Sequence, residues 1–279
     1  MNKLRILLFS TIIASLILVS CEKNPAQPNT SASKGFTATT TEYVKGSAKT
    51  TLNDFMPLWS AGDRICVWGS DLMPRQCMTT GRDTTVAFFK YDSLPEGTLR
   101  GPYTAIYPAS LFRSPTRITV PPTQNSLSGT LTGAPAYAHS DTNQLDFYNL
   151  CGVVRLKLTG PAAKRITYVI LFSDQIINGE YDLVGNPDNP LCPQLSYVSG
   201  GTSNTILNVA HSSQGDGNYY IAIPAGTYNS LSAFLYTTDQ MRASACLGEG
   251  EPIVVEQNAI TAFTLENLNF SKPTNKIVN

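Results

Sequence analysis

Apolar and polar residues alternate along much of this chain with a period of two. Val154, Leu156 and Leu158 alternate with Arg155 and Lys157, which predicts a half-buried antiparallel strand. No long stretch places apolar residues at the i, i+3, i+4 and i+7 positions of an amphipathic helix. We therefore predict an all-β protein.

One segment departs from this alternation, because residues 166–172 are nearly all apolar. A continuous apolar run predicts a central strand that is covered on both faces. The other predicted strands are short and are separated by clusters of Gly, Pro, Asn and Asp, which favour turns. These strands comprise residues 36–44, 63–68, 84–91, 103–107, 117–120, 154–158, 206–209, 219–223, 231–236, 253–255 and 260–268.

The strand pattern also bounds the number of domains. Many short antiparallel strands are typical of β-sandwiches, and a seven-stranded sandwich takes about 100 residues. Residues 35–279 are too many for one such sandwich, so we predict two in tandem. The stretch 121–143 is the least strand-like and is rich in Pro and Gly. We place the boundary at its end, with an N-terminal sandwich at 35–143 and a C-terminal sandwich at 144–279.

The first twenty residues have the features of an export signal. Lys3 and Arg5 provide a positively charged start, and residues 6–18 form a mostly apolar stretch. That stretch is too short to cross a bilayer comfortably as a helix, which takes about 20 residues. Residues 1–20 are therefore interpreted as a signal peptide.

The signal ends in the tetrad Leu-Val-Ser-Cys, which looks like a bacterial lipobox. It predicts cleavage between Ser20 and Cys21 and attachment of lipid, palmitate included, to Cys21. Several acyl chains on one residue would hold the protein at the cell outer membrane. An ordinary signal peptide with an incidental Cys is the alternative. Residues 21–34 are almost free of apolar side chains and are predicted to be a flexible tether.

Composition excludes several classes of function. Lys plus Arg and Asp plus Glu number 20 each, a balance that argues against a nucleic-acid partner. Of the six cysteines, Cys21 is assigned to lipid and five remain. Cys66 and Cys77 face each other as a candidate disulfide if residues 65–68 and 75–79 form a hairpin, but free buried thiols are at least as consistent with the sequence.

No cofactor or metal site is predicted from the residue spacing. Two histidines far from any Cys pair argue against zinc. One loop offers four oxygen ligands for calcium but lacks the spacing and the closing Glu of an EF-hand. Its ligands would be Asp182, Asn186, Asp188 and Asn189. His211 beside Ser212 and Ser213 lies outside any nucleophile elbow, so we expect no enzymatic activity.

Five segments, in order along the chain, resemble sequence elements of the fimbrillin-family lipoproteins of Bacteroidales. They are WSAGDRICV at 59–67, YTAIYPA at 103–109, ITVPPTQ at 118–124, LDFYNLCGVVRL at 145–156 and YYIAIPAGTY at 219–228.

This resemblance implies two transthyretin-like β-sandwich domains and membership of the type V pilus system. In that family a trypsin-like protease removes the first strand, and a C-terminal strand from a neighbouring subunit refills the groove. The implied function is a surface-exposed fimbrial subunit that acts in fimbria assembly and adhesion. The implied partners are other fimbrial subunits.

Two features depart from the family pattern. Many polymerising subunits are cleaved after Arg, yet no Arg occurs between Cys21 and Arg64, so the candidate processing residues are Lys45 and Lys49. After Phe270 only the nine residues 271–279 remain, with little apolar content. These features favour an anchor, accessory or tip component over a stalk subunit. The alternative is a stand-alone surface lipoprotein that binds a glycan or a host protein.

The two tryptophans allow two interpretations. Trp59 and Trp68 would suit a glycan-stacking pair, but large aromatic residues in a β-sandwich are more often packed in its core. We therefore expect both side chains to be buried.

Overall fold

A computed structural model describes residues 35–45, 57–91, 99–127, 131, 133–210 and 217–272. Within these residues the chain forms twenty-two strands and three single-turn 3-10 helices, in agreement with the predicted all-β class. The 3-10 helices are Ala109–Leu111, Pro161–Lys164 and Gly248–Gly250. The predicted signal peptide, Ser20, Cys21 and the tether lie outside the described residues.

Seven strands close into a barrel in the order β1-β11-β10-β6-β3-β4-β5. They are β1 (Gly35–Thr40), β3 (Arg64–Trp68), β4 (Arg75–Thr79), β5 (Val86–Tyr91), β6 (Tyr103–Tyr107), β10 (Ala136–Ser140) and β11 (Gln144–Asn149). All neighbours are antiparallel except β1 and β11. Alternate residues point inward and form an aromatic-rich core around Trp59.

A second core lies between two sheets. One sheet has the order β17-β12-β22-β2 and the other has the order β20-β19-β13-β16-β9. The first contains β2 (Val44–Lys45), β12 (Gly152–Leu158), β17 (Asn218–Ile223) and β22 (Ala259–Leu265). The second contains β9 (Thr123–Leu127), β13 (Ile166–Ser173), β16 (Asn204–Ala210), β19 (Leu231–Thr237) and β20 (Arg242–Leu247). Their facing side chains form one aliphatic cluster, as in a sandwich.

Two smaller sheets complete the described fold. A four-stranded sheet has the order β15-β14-β8-β7, and a two-stranded sheet pairs β18 with β21. Their strands are β7 (Phe112–Ser114), β8 (Arg117–Val120), β14 (Gly179–Val184), β15 (Gln194–Ser199), β18 (Gly226–Tyr228) and β21 (Ile253–Val255).

Strands from before residue 144 pair with strands from after it, although we placed the start of the second domain at that residue. β11 begins at Gln144 but pairs with β1 and β10 in the barrel, because Leu145 and Phe147 are buried in the barrel core. In the other direction β2, β8 and β9 precede residue 144 and pair with β22, β14 and β16. The two cores are therefore built from interleaved segments of the chain.

The predicted burial of residues 166–172 is wrong for one of the two faces. β13 is the central strand of its sheet, as expected, and Val169 and Leu171 face the sandwich core. The opposite face is solvent-accessible, and Phe172 is 38% exposed. A row of aromatic rings shields this face instead of a second layer, since Tyr168 stacks on Tyr236 with centroids 4.3 Å apart.

Candidate functional site

The candidate site is the first strand of the barrel and the slot that holds it. β1 pairs antiparallel with β5, from Gly35 opposite Lys90 to Thr39 opposite Val86. On its other side it pairs parallel with β11, from Thr37 opposite Gln144 to Thr40 opposite Phe147. Because the barrel is closed only through β1, removing this strand would leave two facing unpaired edges.

The inward face of β1 fills this slot with apolar side chains. Phe36 and Ala38 are almost fully buried. The Phe36 ring meets Tyr91 and Tyr103 edge-on at centroid distances of 5.6 and 5.1 Å. Such edge-to-face pairs add about 0.5–1.5 kcal/mol to the burial of the rings.

Trp59 lies in the barrel core beneath the slot and also makes a direct hydrogen bond to β1. Its Nε1 donates a 3.1 Å hydrogen bond to the carbonyl oxygen of Ala38. Its ring is 2% exposed and packs edge-on against Phe89, Tyr107 and Phe147. Trp68 is also buried, at 4% exposure, so both tryptophans are packing residues, as we expected.

The predicted single strand 36–44 is interrupted, because the chain passes from the barrel to the second core at residues 41–43. Thr41 Oγ1 donates a 2.6 Å hydrogen bond to the Phe147 carbonyl oxygen, which ends the barrel pairing. Tyr43 is then buried in a small cluster on the second core, where desolvation raises its pKa. We refer to residues 35–45, which contain β1 and β2, as the N-terminal strap.

The end of the strap is held by β22 and by the turn before it. Val44 lies opposite Ala259 in a parallel pairing, and its backbone N–H donates to the Asn258 carbonyl oxygen at 3.0 Å. The Asn258 side chain donates in turn to the Glu42 carbonyl oxygen at 3.2 Å. Asn258 has a φ of 57°, a left-handed conformation that Asn tolerates better than most residues.

The two candidate processing residues are placed differently. Lys45 is the last residue of β2 and lies opposite Ile260. Lys49 lies outside the described residues. The chain re-enters the described region at Pro57, whose carbonyl oxygen accepts a 2.7 Å hydrogen bond from Thr40 Oγ1. Cleavage between residues 45 and 57 would therefore leave the strap held only by noncovalent contacts.

The candidate disulfide between Cys66 and Cys77 is not formed in this structure. The register of β3 and β4 places Cys66 opposite Gln76 and Cys77 opposite Ile65. This one-residue offset directs the two side chains to opposite faces of the barrel wall, because successive residues of a strand alternate in direction. Both side chains are buried thiols outside any disulfide, and burial raises the pKa of Cys66 to about 12.

Among the four residues that we considered as calcium ligands, Asp182 and Asn186 make hydrogen bonds to other groups of the protein. The Asp182 carboxylate accepts hydrogen bonds from Arg117 at 2.7 and 3.2 Å, and this pairing lowers the pKa of Asp182. Asn186 Oδ1 accepts the backbone N–H groups of Asp188 and Asn189. No cluster of His, Cys, Asp or Glu suited to a metal ion occurs among the described residues. His211, Ser212 and Ser213 lie outside them.

The residues that hold the end of the strap were missed by the sequence analysis. Asn258 and Thr41 are ordinary polar residues, and their partners lie about 200 and about 100 positions away in the chain. The only local signal was the pair Gln257-Asn258, which precedes a predicted strand and indicates a turn. None of the described helices is long and apolar enough to span a bilayer.

Comparison with known proteins gives likenesses of fold only. No family model and no curated protein matches the chain. A candidate cell adhesion protein from Bacteroides ovatus is similar over 87% of this chain and 96% of its own, with 16% identity and a TM-score of 0.49. A fimbrial protein from Bacteroides ovatus is similar over 83% of this chain and 48% of its own, with 9% identity and a TM-score of 0.41.

A third structure is the tip fimbrial protein Mfa3 from Porphyromonas gingivalis, solved with a C-terminal truncation. The similarity covers 77% of this chain and 94% of that one, with 11% identity and a TM-score of 0.32. These proteins are of the kind that the sequence resembles.

Proposed function

We propose that this chain is a lipid-anchored, surface-exposed fimbrial subunit that acts in fimbria assembly and adhesion by β-strand exchange. The proposed role is structural and adhesive rather than enzymatic. The observation that supports it is the position of β1, a strand near the chain start that closes the barrel between β5 and β11. A strand in that position can leave without unthreading the remaining fold.

The slot has the properties that strand exchange needs. Loss of β1 would expose the backbone edges of β5 and β11 together with the pockets that now hold Phe36 and Ala38. An incoming strand would regain the ladder hydrogen bonds from both edges and bury its own apolar residues in those pockets. We propose that a neighbouring subunit supplies this strand from its C-terminus.

The lipid anchor belongs to the same proposal. Lipidation of Cys21 would tie the chain to the outer membrane, with residues 22–34 as the tether. Proteolysis at Lys45 or Lys49 would release the barrel from that anchor, whereas an uncleaved chain would remain attached. The absence of Arg in this region favours an anchor or an accessory or tip component, which does not need the Arg-specific cleavage of stalk subunits.

Limited proteolysis tests the first step. Residues 22–279 are digested with trypsin, and the products are identified by mass spectrometry and gel filtration. Apart from trimming of the tether at Lys23 and Lys34, we expect the first cleavage after Lys45 or Lys49. Self-association, or binding of a partner's C-terminal peptide, should follow once the strap is displaced. An Arg-specific protease should leave residues 22–63 intact. A cleaved chain that stays monomeric and binds no partner peptide would favour the stand-alone lipoprotein.

A reversible lock tests whether β1 is the strand that leaves. Thr39 and Val86 are opposite each other in β1 and β5 and face outward, so the pair Thr39→Cys and Val86→Cys can be bridged. The exposed Cys246 is changed to Ser to prevent mispairing. We expect the oxidised variant to resist strand exchange and the reduced variant to regain it. Equal exchange in both states would exclude β1 as the exchanged strand.

A further inference from the structure

The strand β15 is an open edge of the described fold. It is the last strand of the sheet β15-β14-β8-β7, and among the described residues it pairs only with β14. The chain is described without a gap from residue 133 to residue 210, which includes the β14–β15 hairpin and the connections on both sides of it. Five of the six residues of β15 are exposed, so both faces of the strand and its outer edge are accessible.

The backbone groups that face this open edge belong to Leu195 and Tyr197. In an antiparallel ladder, successive residues direct their N–H and C=O groups alternately to one side of the strand and to the other. The Leu183 N–H donates to the carbonyl oxygen just before β8 at 2.8 Å, so Asp182 directs its groups the opposite way, to Ser196 of β15. Leu195 and Tyr197 flank Ser196 and therefore point away from β14.

No charged residue protects the edge of β15. Natural edge strands avoid pairing with other chains by being very short or by carrying charged side chains. The edge strand β7 has three residues, among them the exposed Arg113, and the edge strand β20 begins at the exposed Arg242, whose backbone pairs with Ser271. The sequence of β15, QLSYVS, is neutral throughout. This edge can therefore accept another strand.

Two features limit the register in which the edge can pair. Pro193 precedes the strand and has no N–H to donate. At the other end, a shift in the pairing with β14 leaves Val198 as an extra residue, and a bulge of this kind interrupts a regular ladder. Between these limits Leu195 and Tyr197 present regular backbone groups, and Ser196 is the midpoint of the pairing surface.

We propose that β15 is an interface at which two copies of this chain pair antiparallel, about a two-fold axis at Ser196. Leu195 of each copy lies opposite Tyr197 of the other copy, and each of these pairs exchanges both of its N–H···O=C hydrogen bonds. The half-buried Leu195 side chain packs against the Tyr197 ring, which is 46% exposed in the single chain. The two four-stranded sheets become one continuous sheet.

Charge favours a second copy as the occupant of this edge. In a pairing about a two-fold axis, a charged residue at the axis would face its own like charge, which is destabilising. Ser196 is neutral, and the ion pair nearest to it along the ladder, Arg117 with Asp182, is already satisfied at 2.7 Å. The strand offers no charge that would select an acidic or a basic segment of another protein. The interface does not require release of the strap and is independent of the proposed strand exchange.

Disulfide trapping tests the register. A short strand pairing buries a small area, so we expect a weak complex that a covalent bond captures. Opposite residues of a pair without hydrogen bonds have Cα atoms about 4.5 Å apart, within reach of a disulfide. In a Cys246→Ser background, which removes the exposed native thiol, Ser196→Cys should form a dimer on mild oxidation. Ser199→Cys is the matched control, because its two copies would lie about 20 Å apart, and it should form dimers at least ten-fold more slowly.

Charge substitution tests the same contact in solution. Residues 22–279, with the strap uncleaved, are studied by sedimentation over a range of concentrations. We expect a monomer–dimer equilibrium whose dissociation constant rises at least ten-fold in Ser196→Glu and in Ser196→Lys. An equimolar mixture of these two variants should restore the dimer, because opposite charges then meet at the axis. The same changes at Ser244, which is exposed on β20, should leave the equilibrium unchanged.

Three results would overturn the proposal. They are a chain that stays monomeric up to about 1 mM, equal rates of trapping at residues 196 and 199, and a dimer that persists in both charged variants. Melting temperatures verify that the variants are folded, since Ser196 is exposed and its replacement should not unfold the chain. Dimers that appear only after cleavage at Lys45 or Lys49 would assign the self-association to the barrel slot instead.

Discussion

The two strands of the N-terminal strap are held in very different ways. β1 has six residues, pairs on both sides and buries alternate side chains in the barrel. β2 has two residues and pairs on one side, and Val44 is 56% exposed. The attachment of the strap therefore depends mainly on β1. The short β2 determines where the chain leaves the body rather than how strongly the strap is bound.

The strongest test of this difference removes one side chain from each strand. Phe36→Ala deletes a buried ring from the barrel slot and should lower the free energy of unfolding by about 3–5 kcal/mol, as ring-to-Ala changes in cores do. Val44→Ala is the matched change in β2 and should cost within about 0.5 kcal/mol, because the side chain is largely exposed. Urea denaturation measures both. Equal losses of stability in the two variants would contradict the conclusion that β1 contributes more than β2 to the attachment of the strap.

A second prediction concerns the tryptophan beneath the slot. Trp59→Phe keeps an aromatic ring but loses the hydrogen bond from Nε1 to Ala38 and part of the packing against Phe89 and Phe147. We expect a loss of about 2 kcal/mol, since one hydrogen bond to a buried carbonyl group is lost and a cavity is opened. Hydrogen exchange of the β1 amides should accelerate more than that of the β13 amides. Uniform acceleration in both strands would assign Trp59 a general role in stability rather than a role at β1.

A third prediction concerns the other end of the strap. Asn258→Ala removes the side-chain bonds to Asn149 and Glu42 and places a Cβ residue at a φ of 57°. We expect a loss of about 1–2 kcal/mol and faster exchange of the Val44 amide. Asn258→Gly is the control, because glycine relieves the backbone term and should lose less. If Ala and Gly behave alike, the side-chain bonds alone account for the effect.

Four of the seven barrel strands, β1, β3, β5 and β6, lie in segments predicted to be strands, because their signals are local. β10 instead lies within the stretch 121–143, which we described as the least strand-like. Alternation and turn residues located β6 at residues 103–107, and the same signals located β8 of the neighbouring sheet at residues 117–120. The aromatic character of Trp59 likewise predicted burial, and its side chain is in the barrel core. These features depend on a residue and its near neighbours, which one sequence records.

The partners across the chain were not predictable in the same way. The break at Thr41, the parallel pairing of β2 with β22 and the pairing of β9 with β16 depend on contacts between distant segments. The prediction for the outer face of β13 failed for a related reason. A fully apolar run does not distinguish a strand covered by a second layer from one whose outer rings, such as Tyr168 and Phe172, pack against rings of the next strand.

The smallest predicted effect concerns the pairing of β8 with β14. This pairing is short, as the pairing of β2 with β22 is, and it likewise joins an early segment of the chain to a late one. Arg117 on β8 and Asp182 on β14 form an ion pair with a 2.7 Å contact, and both side chains are more than a third exposed. Hydrogen bonds from Arg117 lower the pKa of Asp182 below its usual value of about 3.9. The stabilisation is therefore present above that value and is lost as the pH falls through the lowered pKa in the folded state.

Asp182→Asn makes this contribution measurable. Solvent screening keeps an exposed pair weak, so we expect the melting temperature of the variant to fall only slightly below that of the unchanged chain at pH 7. The gap should close at low pH, once the pH has fallen through the lowered pKa and the carboxyl group of the unchanged chain is protonated. High salt at pH 7 should narrow the gap as well. A gap that is the same at both pH values would show that the substitution alters packing between β8 and β14 rather than charge.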